Sequence, residues 1–447
     1  MWPLGLTIVV LLLVSLSMSG QADQAVREAK AAGVPTELED LPSKNLSPEQ
    51  NAAVELRELV SMKDTVSYTN FRDGREALDR FLRFDPTYSE TDLHLYLEES
   101  EPLIDLMVKA ASKADCDFER DWTKSFGPIL PEHDAIRQLD LRLLGRMKLR
   151  AIDGDLDGVI EDLEAYVKLS EHFSDQDGAM GWETWSSLRG GWTWSAIRTL
   201  SLTDGDAELR EGIKQQIEQH PLEFDLWNSL KLQAYLGSQL IDDPFKASKS
   251  APFYHYDFDL YPPDLYDRTE MLFLRSSPVR SASKVELYLH YKTVFDTYRE
   301  HKNDWSAFFV ALEPEWERIE GLHGEVISLS GRVASFTTNN CELPVWNLKR
   351  FAERHQAVLT ILRSIIALYE VRDAEGEFPE TLPSGLDSTD PYNTYGEGTL
   401  RYGKYGDGFY IYSVGSNSID DTHNDPSEGI ENDDIGFVFP IKWEKWP

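Results

Sequence analysis

Hydrophobic positions recur three and four apart through most of the chain, the spacing of one face of an α-helix. The segments "HDAIRQLDLRLLGRMKLRAI", "LEAYVKLSEHF", "DLWNSLKLQAYLGSQLI" and "KVELYLHYKTVFDTYREH" all follow it, and strict alternation is rare before residue 373. Short turns such as Gly154-Asp155 and "DPTYSETD" separate them, so the pattern predicts a mainly α protein, a helical-hairpin array over residues 51–345. No strict period of 34 residues or similar accompanies it. The run "DDPFKASKSAPFYHYDFDLYPPDLYDR" interrupts the rhythm with Pro252, Pro262 and Pro263 and reads as a long surface excursion.

The texture changes near Asp373. Before it, Leu348, Phe351, Ala352, His355, Val358, Leu359, Leu362, Ile365, Ile366 and Tyr369 mark one apolar stripe of a long helix. After it, "TLRYGKYGDGFYIYSVG" and "DDIGFVFPIKW" are β-rich, and "YGDG" at 405–408 signals a hairpin through its Asp-Gly pair. Residues 346–447 therefore form a small α+β unit, one long helix and about three antiparallel strands.

The two ends and the net charge add cellular context. Residues 1–22 lack Asp, Glu, Lys and Arg, and "PLGLTIVVLLLVSLSM" has the length of a signal-peptide core, with Ser17 and Ser19 or Gly20 and Ala22 as cleavage residues. The expectation is export to the periplasm or outside the cell, or anchoring by this segment if it is retained. Residues 23–50 are polar and punctuated by proline, and read as an N-terminal arm. With 44 basic against 78 acidic residues the formal charge is -34, which repels polyanions and sets nucleic acid aside as a partner. Cys116 and Cys341 are equally consistent with one long-range disulfide and with two buried thiols.

Candidate chemistry is sparse. "AIDGDLDGVIEDLE" places Asp153, Asp155, Asp157, Gly158 and Glu164 at the ligand and glycine positions of a calcium loop. The competing and preferred reading makes Gly154 a helix C-cap and Asp155 the N-cap of a helix whose Leu156, Val159, Ile160, Leu163 and Val167 share a face. Trp182, Trp185, Trp192 and Trp194 admit a sugar-stacking platform together with Tyr254 to Tyr266, but core packing is preferred. No zinc spacing, nucleophile elbow, phosphate loop or dinucleotide fingerprint is present. A carboxylate hydrolase built from separate helices is the alternative to a structural or interaction protein.

The motifs "IIALYEVRDAEGEFPETL", "DPYNTYGEGTLRYGKYGDGFYIYSVGSNSIDD" and "NDDIGF", in that order over about residues 348–441, resemble the globular part of the major pseudopilins of type II secretion systems. The same ending is similar to that of exported bacterial proteins with helical bodies. The resemblance implies a structural calcium ion in the loop between the last two strands, with Asn417, Asp420, Asp421, Asn432, Asp433 and Asp434 as the ligand set, hard oxygens of the kind calcium takes. This loop departs from the family in being longer, in containing His423 and Pro426, and in carrying Asn417-Ser418 where Asp-Gly is common. Val10 stands where an assembling pseudopilin carries glutamate, which argues against a pilin subunit. The expectation is an exported protein that presents a surface to another protein or an envelope polymer.

Overall fold

In the computed structural model, the residues described are 2–41, 43–63, 68–122, 130–174, 179–220, 226–242, 277–302, 305–324, 345–392, 398–415 and 434–440. Among them are twelve α-helices and one three-stranded antiparallel sheet, a mainly helical protein with a small C-terminal α+β unit as the periodicity predicts.

Helices α1 (Trp2–Ala31), α2 (Ala53–Lys63), α3 (Tyr68–Leu82), α4 (Glu90–Ala111), α5 (Pro131–Asp153), α6 (Leu156–Ser174), α7 (Ala179–Leu202), α8 (Ala207–Gln219) and α9 (Leu226–Asp242) come first. They are followed by α10 (Ser277–His301), α11 (Trp305–Gly324) and α12 (Val345–Glu375). Sequence neighbours pack against each other in α3–α4, α5–α6, α6–α7 and α10–α11, the connections between them being few residues long. Longer-range packing then closes the body: α4 lies on α6, α2 on α5, α1 on α10, and α12 on α7.

The segment expected as a polar arm is not one. Residues 23–31 continue α1 without a break, and Ala22, Ala25, Ala29 and Ala32 bury a small-residue seam in the core. Gly33 (φ 78) ends the helix with Val34 N–H returning to Ala29 O at 2.9 Å, and Arg299 of α10 donates to Ala32 O. Further on, Asn51 Nδ2 donates to Asp117 O at 2.8 Å, and Lys44 N–H to Asp117 Oδ2 at 2.9 Å. Over residues 23–31 polar composition misled because the polar residues are the solvent face of a helix whose buried face is alanine.

Strands β1 (Arg401–Tyr405), β2 (Gly408–Ser413) and β3 (Ile435–Phe439) form the sheet in that order. The β1–β2 turn is centred on Gly406-Asp407, with the left-handed backbone at Gly406 (φ 57), not at the Asp-Gly pair read from the sequence; Gly408 already belongs to β2 and pairs with Tyr405. Phe409 stacks on Phe439 at 4.7 Å and meets Phe378 at 4.8 Å, which places the sheet's apolar face on the end of α12.

Helix α12 is buried more widely than one stripe. Besides Val358, Leu359, Leu362, Ile365, Ile366 and Tyr369, it buries Ala357, Ile361, Ser364 and Leu368, since it contacts both α7 and the sheet. Trp194 of α7 also reaches Phe437 at 4.5 Å, so one core runs through the helical body and the C-terminal unit. At the α7–α8 turn, Gly205 (φ 67) lies so close to the Tyr369 ring that a Cβ would collide with it. Ion pairs Arg210–Asp373, Lys214–Glu370 and Arg372–Asp204 surround that contact.

Candidate functional site

The loop expected to hold calcium leaves the sheet after Gly415 and re-enters it at Asp434. Of the six expected ligands, Asp434 is described: it is buried, one residue before Ile435, which pairs with Ser413. Asn417, Asp420, Asp421, Asn432 and Asp433 lie outside the described residues. Among the described residues, no group of three or more His, Cys, Asp or Glu side chains is arranged to hold a metal. Asp434 therefore offers one hard oxygen ligand at the loop's exit, a donor type that suits calcium.

A second carboxylate fixes this end of the sheet. Asp390 comes from the lobe between α12 and β1, closed by Asp390 N–H to Gly398 O at 2.7 Å and Leu400 N–H to Ser388 O at 2.9 Å. Its side chain is 2% exposed. Oδ1 accepts from Ser413 Oγ at 2.7 Å and from Tyr392 N–H at 3.1 Å, and Oδ2 accepts from Val414 N–H at 3.0 Å. Three donors offset the cost of burying the charge. They also pin the strand end from which the 416–433 loop departs. Asp390 stands in the quoted "DPYNTYG" motif, but nothing in that string distinguishes a clamp from an exposed turn acid.

The other calcium-like stretch is a helical turn. Gly154 (φ 77) caps α5, Asp155 N–H returns to Arg150 O at 2.9 Å, and α6 begins at Leu156. Asp155 Oδ1 accepts from Gly158 N–H at 3.1 Å, the N-cap bond, while Glu164 pairs with Lys168 on its own helix. Val159, Leu163 and Val167 face inward and Asp157 and Glu161 face solvent. The positions required of calcium ligands are thus divided among the end of α5, the turn and α6.

Among the described residues the helical body holds buried polar clusters that periodicity does not reveal, and three of them join neighbouring helices. In the first, Asp162 on α6 is 1% exposed and receives Arg146 Nη2 at 2.6 Å and Arg150 Nη1 at 3.1 Å, while Arg146 also reaches Glu101 of α4 at 2.7 Å. Burial still pushes the Asp162 carboxyl above its ordinary value, against the pull of both arginines. In the second, Tyr166 donates to Asp140 Oδ2 at 3.0 Å. Burial raises Asp140 to about 6 and the Tyr166 phenol well above its usual value. Asp140 Oδ1 has no hydrogen-bond partner.

The third cluster joins α6, α7 and the end of α8. Glu171 Oε1 accepts from His220 Nδ1 at 2.9 Å and from Arg189 Nη2 at 3.2 Å, and Arg189 Nη1 donates to His220 O at 3.3 Å. Burial opposes ionisation of Glu171, yet the His220 bond and the charges of His220 and Arg189 hold it below the usual carboxylate range. His220 Nε2 is buried with no hydrogen-bond partner. Chemically this is an imidazole oriented by a carboxylate, an arrangement that suits proton transfer; His290 Nδ1 and Glu315 Oε1, 3.0 Å apart between α10 and α11, form a second such pair.

Trp182, Trp185 and Trp192 are buried in the core, and Trp192 Nε1 donates to Gln216 Oε1 at 3.2 Å, so these rings serve packing; Trp194 is half-buried. Tyr254 to Tyr266 lie outside the described residues. Cys116 is buried, and Cys341 is outside them as well. Among the described residues no helix is long and apolar enough to cross a membrane. No family model, curated protein or solved structure matches this chain.

Proposed function

We propose that this is an exported structural or interaction protein of a bacterial envelope, whose helical body offers a surface to a protein or envelope polymer and whose C-terminal loop is braced by calcium. The observation that carries the reading is how the interior polar groups are used. Arg146 with Asp162, Arg210 with Asp373 and Asp390 with Ser413 each tie one element to another, which is the work of a scaffold. The resemblance to pseudopilin globular domains supports calcium, with Asn417, Asp420, Asp421, Asn432, Asp433 and Asp434 as ligands; Asp390 holds the strand end before that loop, and Asp434 is buried where the chain re-enters the sheet. Calorimetry with calcium, and melting with and without chelator, tests it: binding and a stabilisation that Asp434→Ala removes are expected, and no heat with no shift refutes calcium. Recovery of the same protein or polymer with the chain from its native envelope tests the interaction reading.

The Glu171–His220 pair favours a second reading, an exported hydrolase acting on carbohydrate or peptide. Turnover of a defined glycan or peptide that Glu171→Gln lowers by about 100-fold, the scale of one general acid–base group, would establish it in place of the scaffold.

A further inference from the structure

The first helix has two halves with different surroundings. From Ala22 onward it is a core element, with Ala22, Ala25 and Ala29 buried against the body and Arg299 closing its C-terminus. Immediately before that, Ser17, Ser19, Gly20 and Gln21 are exposed and Met18 is half-buried. Met18, four residues before Ala22, lies on the stripe that Ala22, Ala25 and Ala29 continue, so burial of that stripe falls off in this turn while its other four positions face solvent. A Cβ placed on Gly20 would meet nothing within 4 Å. Burial of the helix thus weakens at this collar, and its backbone is helical back to Trp2. The sequence from Trp2 to Ala22 carries no charged residue, and the first is Asp23.

We infer that α1 is a retained anchor, in which residues 2–18 enter the apolar layer of a phospholipid bilayer and residues 22–31 remain a core helix of the same rigid rod. At 1.5 Å per residue, residues 2–18 are about 26 Å long, against a hydrocarbon layer of roughly 30 Å. Attachment is apolar, not electrostatic. With no basic residue before Arg27 the inserted half has nothing to offer anionic headgroups, and the formal charge of -34 makes them repel the chain as a whole. Retention follows from the same geometry: a cut after Ala22 removes a buried core residue, and the collar where the earlier cut would fall is helical, not extended. The inference takes the export of the proposed function as its setting but is independent of calcium or of any partner.

The full-length chain is mixed with vesicles of phosphatidylcholine, or of phosphatidylcholine with phosphatidylglycerol, and floated on a density gradient. It is expected to float with phosphatidylcholine, to stay bound in 1 M salt, and to bind the anionic vesicles no better. Leu12→Asp, and a chain lacking residues 2–16, are expected to stay at the bottom; Leu12→Asp decides if the shortened chain fails to fold. Sequencing of the N-terminus of envelope-purified protein is expected to find residues 2–16 present. A full chain that does not float, variants that float equally well, or a mature chain beginning between residues 18 and 23 would overturn the inference. Any of these leaves the calcium measurement untouched.

Discussion

Asp140 is the residue whose environment and chemistry are most at odds. Its carboxyl is held at about 6 in the folded protein against an ordinary value of 3.8, so folding strengthens its hold on a proton. Its contribution to stability is therefore whole below the unfolded value and is lost as pH climbs through about 6. At about 1.4 kcal/mol per unit, the shift costs about 3 kcal/mol at pH 8. Asp140→Asn keeps an acceptor for Tyr166 and never ionises, though its amide adds a donor that needs a partner. Denaturant melts should show the variant more stable than the parent by roughly 1–2 kcal/mol at pH 8 and no more stable at pH 4. Asp140, Asp162 and Asp390 were not legible in the sequence, because a buried acid and a solvated one have the same letter and the distinction lies in partners supplied from afar. Tyr166, Arg146 and Ser413 are those partners.

Between elements, the α4–α5–α6 ion cluster sets the register of three helices. Arg146 is largely buried and holds Asp162 and Glu101 together. Asp162→Ala leaves that guanidinium with one partner fewer, and chemical denaturation should report a loss of about 3 kcal/mol. Replacing both partners, Arg146→Met with Asp162→Leu, should recover most of it, because neither charge then needs compensation. Equal losses in the single and double variants would mean that packing, not charge, holds the helices. The element-level reading of the sequence succeeded where the signal was local: the helices, the Gly154-Asp155 turn and the 405–408 hairpin each depend on residues a few positions apart. The second buried face of α12 was also present as Ala357, Ile361, Ser364 and Leu368, but the stronger stripe obscured it. Which helix would cover α1 depends on α10, about 250 residues away, and no local pattern carries that.

At the scale of the whole molecule, the body and the C-terminal unit share α12. Because α12 packs on α7 as well as on the sheet, residues 346–447 cannot bury that helix alone. The isolated fragment should lack a cooperative melt and bind a hydrophobic dye, whereas the full chain should show a single transition in which near-ultraviolet and far-ultraviolet signals coincide. A cooperative fragment would make the C-terminal unit a self-sufficient domain. The docking of α1 on α10 has a consequence in time. At about 5–20 residues per second, α10 is completed roughly a quarter of a minute to a minute after the first helix has left the ribosome. During that interval the alanine seam of α1 lacks its main partner among the described helices; the helix that is made first is seated among the last.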